Sequence, residues 1–230
     1  MPTLQNFVAV DWRNGPDRIY FFFKDTGTYS RFNLGDNEVP KNYPLAVGSN
    51  WADFGKHVKE LRFGFNTSGV AWDASADSDM LWLFYNEGST PMVCKYRQMD
   101  DNVYFKKPVE QTVWAPIKPH FEKIVGVMWY EKAETKHTYW MLMNDGNYLI
   151  YNPWSGKIKI KPLKDSIWRG LEKYKDRMIT AALNDHPTFN TFFYIFLTNN
   201  EYLRYDINGG TISDPIPVNE ASWPGLVQDK

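Results

Sequence analysis

The sequence predicts an all-β fold, a four-bladed β-propeller, on three observations. An apolar segment returns four times, as Ile19-Tyr20-Phe21-Phe22, Leu81-Trp82-Leu83-Phe84, Tyr139-Trp140-Met141-Leu142 and Phe193-Tyr194-Ile195-Phe196. After each comes a polar turn and a second apolar-polar segment that ends on an aromatic: Tyr29–Phe32, Val93–Tyr96, Tyr148–Tyr151 and Tyr202–Tyr205. A tryptophan then closes each unit, at Trp51, Trp114, Trp168 and Trp223. Four units of three or four short strands are what propeller blades require, since stacked blades bury one another's large side chains.

Taken along the chain, blade one spans about residues 6–62. Val8–Asp11 is its inner strand, and the stretch RIYFFFKDTGTYSRFN supplies the next two strands around a turn, which makes Phe21, Phe22 and Phe32 core residues. The segment WADFGKHVKEL after Trp51 suits a short helix, and similar helices are expected after the other Trp anchors. Blade two, 63–123, aligns Val70-Ala71-Trp72-Asp73 with Val8-Ala9-Val10-Asp11 without a gap, so RFGFNTSG before it is read as a linker. There Phe63 and Phe65 either pack under the blade or form a flat aromatic binding face. Blades three and four, 124–177 and 178–230, repeat the pattern with the turns NDGN and TNNE; Asp145-Gly146 is a strong hairpin signal, because glycine tolerates positive φ.

Composition narrows the function. Formal net charge is −1, with 26 basic and 27 acidic residues, which gives no electrostatic attraction to nucleic acid or to an anionic membrane. A single cysteine, Cys94, excludes an intrachain disulfide framework and reads as an inert core thiol. The opening MPTLQNFVAVDWRNG lacks a basic n-region and an apolar h-region, and no apolar run is long enough to span a bilayer, so a cytoplasmic protein is expected. The scattered His57, His120, His137 and His186 offer no metal-ligand spacing, and no phosphate-cradling or nucleophile-elbow motif occurs.

The ordered set IYFFF, YSRFN, NYPLAV, YLRYDI and SWPGL resembles the hemopexin-like repeat over essentially the whole chain. That resemblance implies a four-bladed propeller with a narrow axial tunnel. Two of the family's features are missing. The positions that match its tunnel aspartates are Phe7, Gly69, Gly126 and Thr180, and the disulfide joining the first and last blades is absent, so closure must rest on packing between blades one and four. Haem or a tunnel ion is the only cofactor the resemblance suggests, with His120 or His186 as the candidate haem ligand; no dedicated metal site is expected.

Loop residues after the inner strands are candidates for a ligand site, because packing does not dictate them. Asp11, Asp73, Tyr130 and Asn184 form one ring, and Arg13, Ser75, Lys132 and His186 a second, with Trp12 between the two in blade one. Together Asp11, Trp12, Arg13, Asp73, Tyr130, Lys132, Asn184 and His186 can bind a polar oxygenated ligand; the bland alternative is that they satisfy turn backbones. The first functional expectation is a propeller holding a sugar or hydrophobic metabolite at the axial mouth. An alternative is a cofactor-independent isomerase or cyclase in which Asp73 and His186 move a proton and Arg13 stabilises an oxyanion. A third is docking of a protein partner, or of a second copy as a homodimer, on the flat propeller faces.

Overall fold

The computed structural model describes residues 4–12, 18–70, 72–73, 79–129, 137–164, 166–184 and 191–227. Four antiparallel sheets are arranged in a ring, each running in chain order from the axis outward. Blade one comprises β1 (Phe7–Trp12), β2 (Arg18–Phe23), β3 (Thr28–Asn33) and β4 (Leu45–Ala46). Blade two comprises β5 (Leu61–Thr67), β6 (Met80–Glu87), β7 (Thr90–Arg97) and β8 (Asn102–Pro108). Blade three has β9 (Ile124–Trp129), β10 (Tyr139–Met143), β11 (Asn147–Asn152) and β12 (Lys157–Pro162). Blade four has β13 (Met178–Asn184), β14 (Phe192–Leu197), β15 (Glu201–Asp206), and two short outer strands, β16 (Thr211–Ile212) and β17 (Ile216–Pro217), both paired with β15. The chain is a four-bladed β-propeller.

Alternation explains the blades. The second strands bury both faces, because blades stack on either side, and so read as near-continuous apolar runs; Ile19, Phe21 and Phe22 are fully buried, as is Phe32 on the third strand. Each anchor tryptophan joins its own blade to the next. Trp51 meets Tyr20 and Tyr29 of its own blade and Tyr96 of blade two. Trp114 similarly contacts Phe65 and Trp82, then Tyr139 and Tyr151. Trp168 bridges Trp140 and Tyr205. Edge-to-face geometry dominates these contacts, and such aromatic pairs add about 0.5–1.5 kcal/mol each beyond the area they bury. Short 3-10 helices follow three of the anchors, at Ala52–Glu60, Ala115–Lys123 and Glu172–Arg177.

Closure uses the fourth anchor. Trp223 packs on Phe21 and Phe32 of blade one and on Tyr194, Phe196 and Tyr202 of blade four, while Phe196 also meets Phe7. Backbone hydrogen bonding adds to it: Val39 N–H donates to the Pro224 carbonyl at 2.9 Å, and Leu4 N–H to Asn200 Oδ1 at 2.8 Å. Near the axis, the Ala9 N–H of blade one donates to Thr180 Oγ1 of blade four at 3.1 Å. The inner strands approach so closely that a Cβ on Gly126 would lie 2.6 Å from both the Cβ and the carbonyl oxygen of Ala181. Only glycine fits there.

The inner strand of blade two is Leu61–Thr67, not Val70–Asp73 as expected. Its sequence LRFGFNT alternates, and Phe63 and Phe65 stack on Phe84 with centroids 4.5 and 5.8 Å away. They are core residues, 0% and 1% exposed, and neither a linker nor a binding face. The similarity of Val70–Asp73 to Val8–Asp11 hid this, because the loop joining the first two strands is longer here (68–79) than in blade one (13–17). Gly69 therefore lies in that loop. Cross-strand register places Val8 and Phe63 with Gly126 and Thr180, opposite Phe22, Phe84, Leu142 and Phe196 respectively.

Candidate functional site

Register also rewrites the ring that contains Asp11. The residues paired with Ile19, Leu81, Tyr139 and Phe193 are Asp11, Asn66, Trp129 and Leu183, so Asp73 and Asn184 are not the counterparts of Asp11. Asp11 is buried on β1. Trp12, Asp73 and Asn184 line three separate clefts, each beside a different blade. Arg13, Tyr130, Lys132 and His186, with Ser75, lie outside the described residues. Of the proposed acid-base set, only Asp73 can be placed, and its Oδ1 is 2.5 Å from Lys95 Nζ with both side chains buried.

The three clefts share a plan. On the face of each blade, a second-strand aromatic pairs across the sheet with the residue two places into the third segment: Tyr20 with Arg31, Trp82 with Lys95, Trp140 with Ile150, and Tyr194 with Arg204. Cross-strand partners point to the same face, so three of these pairs place a cation beside an aromatic ring. The clefts of blades two and four are largely satisfied from within. In blade two, Lys95 is held by Asp73 and lies over Trp82 and Tyr104, its Nζ 5.0 and 4.9 Å from the ring centres. In blade four, Arg204 is exposed and sits 5.2 Å over Phe192, while Asn184 hydrogen-bonds Tyr194.

The cleft between blades one and two is different. It has a volume of about 320 Å³. Blade one contributes Trp12, Arg18, Tyr20, Tyr29 and Arg31, with Tyr43, Asn50 and Trp51 from the segment leading to the anchor; blade two contributes Tyr96, Gln98 and Asp101. Trp12 and Tyr20 lie 4.7 Å apart, and both meet Trp51 edge to face. The Arg31 guanidinium stands 5.5 Å over the Tyr43 ring. Neither Arg18 nor Arg31 has an ion-pair partner among the described residues.

Buried polar atoms without a partner are concentrated here. Gln98 is 4% exposed, yet neither its Oε1 nor its Nε2 finds a hydrogen bond among the described residues. The same holds for Tyr96 Oη, Trp12 Nε1 and Arg31 Nε. Leaving such groups unsatisfied costs about 1–3 kcal/mol each, which makes this cluster the candidate site. Burial also raises the phenols that line the cleft: Tyr20, Tyr29 and Tyr96 are all pushed above the usual tyrosine range, chiefly by desolvation, and stay protonated donors. Asp101 is raised above the usual carboxylate range by desolvation and then by neighbouring Asp100.

Sequence reasoning named Trp12 in this cleft and missed Arg18, Arg31, Gln98 and Asp101. A signal was present: the third segment carries a cation at the same place in three blades and isoleucine in the fourth. Cys94 is fully buried, its thiol pushed up to about 12 by desolvation, as an inert core residue should be. Among the described residues, no helix is long and apolar enough to cross a membrane.

No family model matches the chain, and no curated protein matches it by sequence. Among solved structures, the chain is similar to a structural genomics protein of unknown function from Bacteroides thetaiotaomicron, at 13% identity over 92% of this chain and 43% of that one, with a TM-score of 0.37. It is also similar to Saccharomyces cerevisiae Sqt1, at 10% identity over 89% of this chain and 46% of that one, with a TM-score of 0.33. The chain spans less than half the length of either.

Proposed function

We propose that this protein is a small-ligand-binding propeller of hemopexin-like repeat type, and that its ligand sits in the cleft between blades one and two. One observation carries the reading: Gln98, Tyr96, Trp12 and Arg31 present buried polar atoms to the same concave, aromatic-walled space with no partner for them among the described residues. Small-molecule sites fix the orientation of what they bind through a few convergent polar groups of this kind. The isomerase or cyclase alternative draws no support from Asp73, whose carboxylate is engaged by Lys95.

The test is affinity capture from a metabolite extract by the wild-type chain and by Gln98→Leu, with bound compounds compared with the input. A compound retained by wild type and lost by Gln98→Leu supports the reading. Equal retention by both, or none, overturns it. A bound compound absent from the input would instead point to catalysis.

A further inference from the structure

We propose that the outer edge of blade three, strand β12 (Lys157–Pro162), docks an extended acidic segment of a partner protein. That segment alternates carboxylate and apolar side chains and adds to the sheet as a further strand. The edge is separate from the cleft between blades one and two. It also differs from the outer edges of the other blades. Blade one ends on the two-residue β4, and blade four on β16 and β17, also two residues each. Blade two ends on β8, whose Lys106 is engaged by Asp53 of the helix after Trp51. By contrast, β12 is six residues long and pairs with β11 along its full length. None of its residues makes a backbone hydrogen bond to any other element among the described residues. A strand paired on one side only turns alternate N–H and C=O groups outward, where they form a template for another strand.

Side chains give this edge two unlike faces. Cross-strand pairing puts Lys157, Lys159 and Lys161 opposite Asn152, Ile150 and Tyr148, and Ile158 and Ile160 opposite Tyr151 and Leu149. Lysines therefore line one face and isoleucines the other, since successive residues of a strand alternate. All three lysines are exposed, and none forms an ion pair among the described residues. Ile160 is 47% exposed, which leaves apolar surface on the opposite face for a partner side chain to cover. The stretch from Lys157 to Lys164 carries four lysines and no acidic residue, in a chain whose formal net charge is −1. A strand with carboxylates opposite the lysines and apolar side chains beside Ile160 matches both faces. The same lysines oppose a second copy of β12, because two such edges bring like charges together. Charge complementarity selects the acidic occupant over self-pairing.

Fluorescence anisotropy on the full chain tests this with a labelled peptide of alternating glutamate and valine, long enough to cover β12. It should bind, weaken with added salt, and protect the β12 amides from hydrogen exchange. Lys159→Glu/Lys161→Glu should weaken it about tenfold or more, and Ile160→Ser severalfold. Lys41→Glu, which changes an exposed charge in blade one, should leave binding unchanged. Two peptide controls ask whether a strand is added. A block peptide, with all glutamates before all valines, should bind far more weakly. N-methylation of every glutamate or of every valine blocks one edge of the peptide or the other, and one of these two should abolish binding. Equal binding by the block peptide, or retention by both methylated forms, would overturn strand addition. No binding of the alternating peptide at millimolar concentration would overturn the docking edge. Two other occupants would overturn it as well. One is double-stranded RNA or phosphatidylserine vesicles, if they bind through Lys159 and Lys161 where the peptide does not. The other is a second copy, if sedimentation shows a dimer that Ile160→Ser removes. Thermal melts establish that each variant is folded before its binding is compared.

Discussion

Blades one and two carry the same device in the same place, an aromatic on the second strand with a cation opposite it on the third, and they use it in opposite ways. In blade two the cation is closed off: Lys95 and Asp73 face each other at 2.5 Å, with side chains 3% and 8% exposed. In blade one the guanidinium of Arg31 stands over the face of Tyr43 with no ion-pair partner among the described residues, and the polar groups across from it on blade two are likewise left unsatisfied among them. A propeller repeats its scaffold, so a difference at one quasi-equivalent position is informative where a single occurrence would not be. A completed pair is a structural plug. An incomplete set costs stability, and that cost persists in binding sites because the ligand supplies the missing half.

The largest effect should come from opening the plug. Asp73→Ala removes the carboxylate that pairs with the buried Lys95 ammonium and should cost up to about 3–5 kcal/mol, read as a shift in the urea midpoint. The double variant Asp73→Leu/Lys95→Met removes both charges and should recover most of that loss, since a buried pair is commonly replaceable by apolar residues of similar volume. If Asp73→Ala unfolds at the wild-type midpoint, the ion pair is not a plug and the contrast between the two clefts collapses.

Gln98→Leu sharpens the same contrast from the other side, with the opposite sign. Replacing a buried amide that lacks partners by an apolar side chain of similar size should stabilise the free protein by about 1–2 kcal/mol while weakening ligand capture. A destabilised Gln98→Leu would mean that the amide is already satisfied in the free protein. Arg31→Gln should be smaller still. It gives up a cation-π contact of about 0.5–1 kcal/mol at a half-buried site, so its denaturation curve should shift only slightly even where its binding changes severalfold.

The propeller was legible because its signals are redundant. Four apolar second strands, four aromatic-ended third segments and four anchor tryptophans point to one architecture, and the structure places all four tryptophans at blade-to-blade contacts. Blade two shows where redundancy fails. Val70–Asp73 copies the look of an inner strand, while the actual strand LRFGFNT has glycine where the others have Ala9, Val127 and Ala181, so the local match outcompeted the correct one. The site was harder to read than the fold. Loops after the inner strands were favoured because packing leaves them free, yet the polar groups that gather in cleft one come from strand ends and from the far side of an inter-blade seam. Gln98 and Arg31 line one cleft only because blade two docks on blade one, and nothing in either segment alone announces that arrangement.

The smallest expected effect concerns pH. Asp101 lines cleft one, and desolvation together with Asp100 holds its carboxyl above the usual carboxylate range. Its folded value is raised relative to the unfolded chain, so the folded state binds the proton more tightly. The resulting stability is fully present below the unfolded value and is lost as pH rises through the folded one. Asp101→Asn should therefore flatten a shallow decline in stability over that acidic window while leaving the behaviour near neutrality almost unchanged. The same titration bears on the ligand. An ionised Asp101 opposes an anion in the cleft and a protonated one does not, so capture of any anionic ligand there should strengthen as pH falls through the window. In Asp101→Asn that pH dependence should disappear, leaving affinity at neutral pH slightly higher than wild type. Blade two supplies the control: its Lys95–Asp73 pair is shut away from cleft one, so Asp73→Leu/Lys95→Met should leave the pH profile of binding unaltered. A changed profile in that double variant would show that the two clefts are coupled, and the contrast between them would have to be redrawn as one shared site.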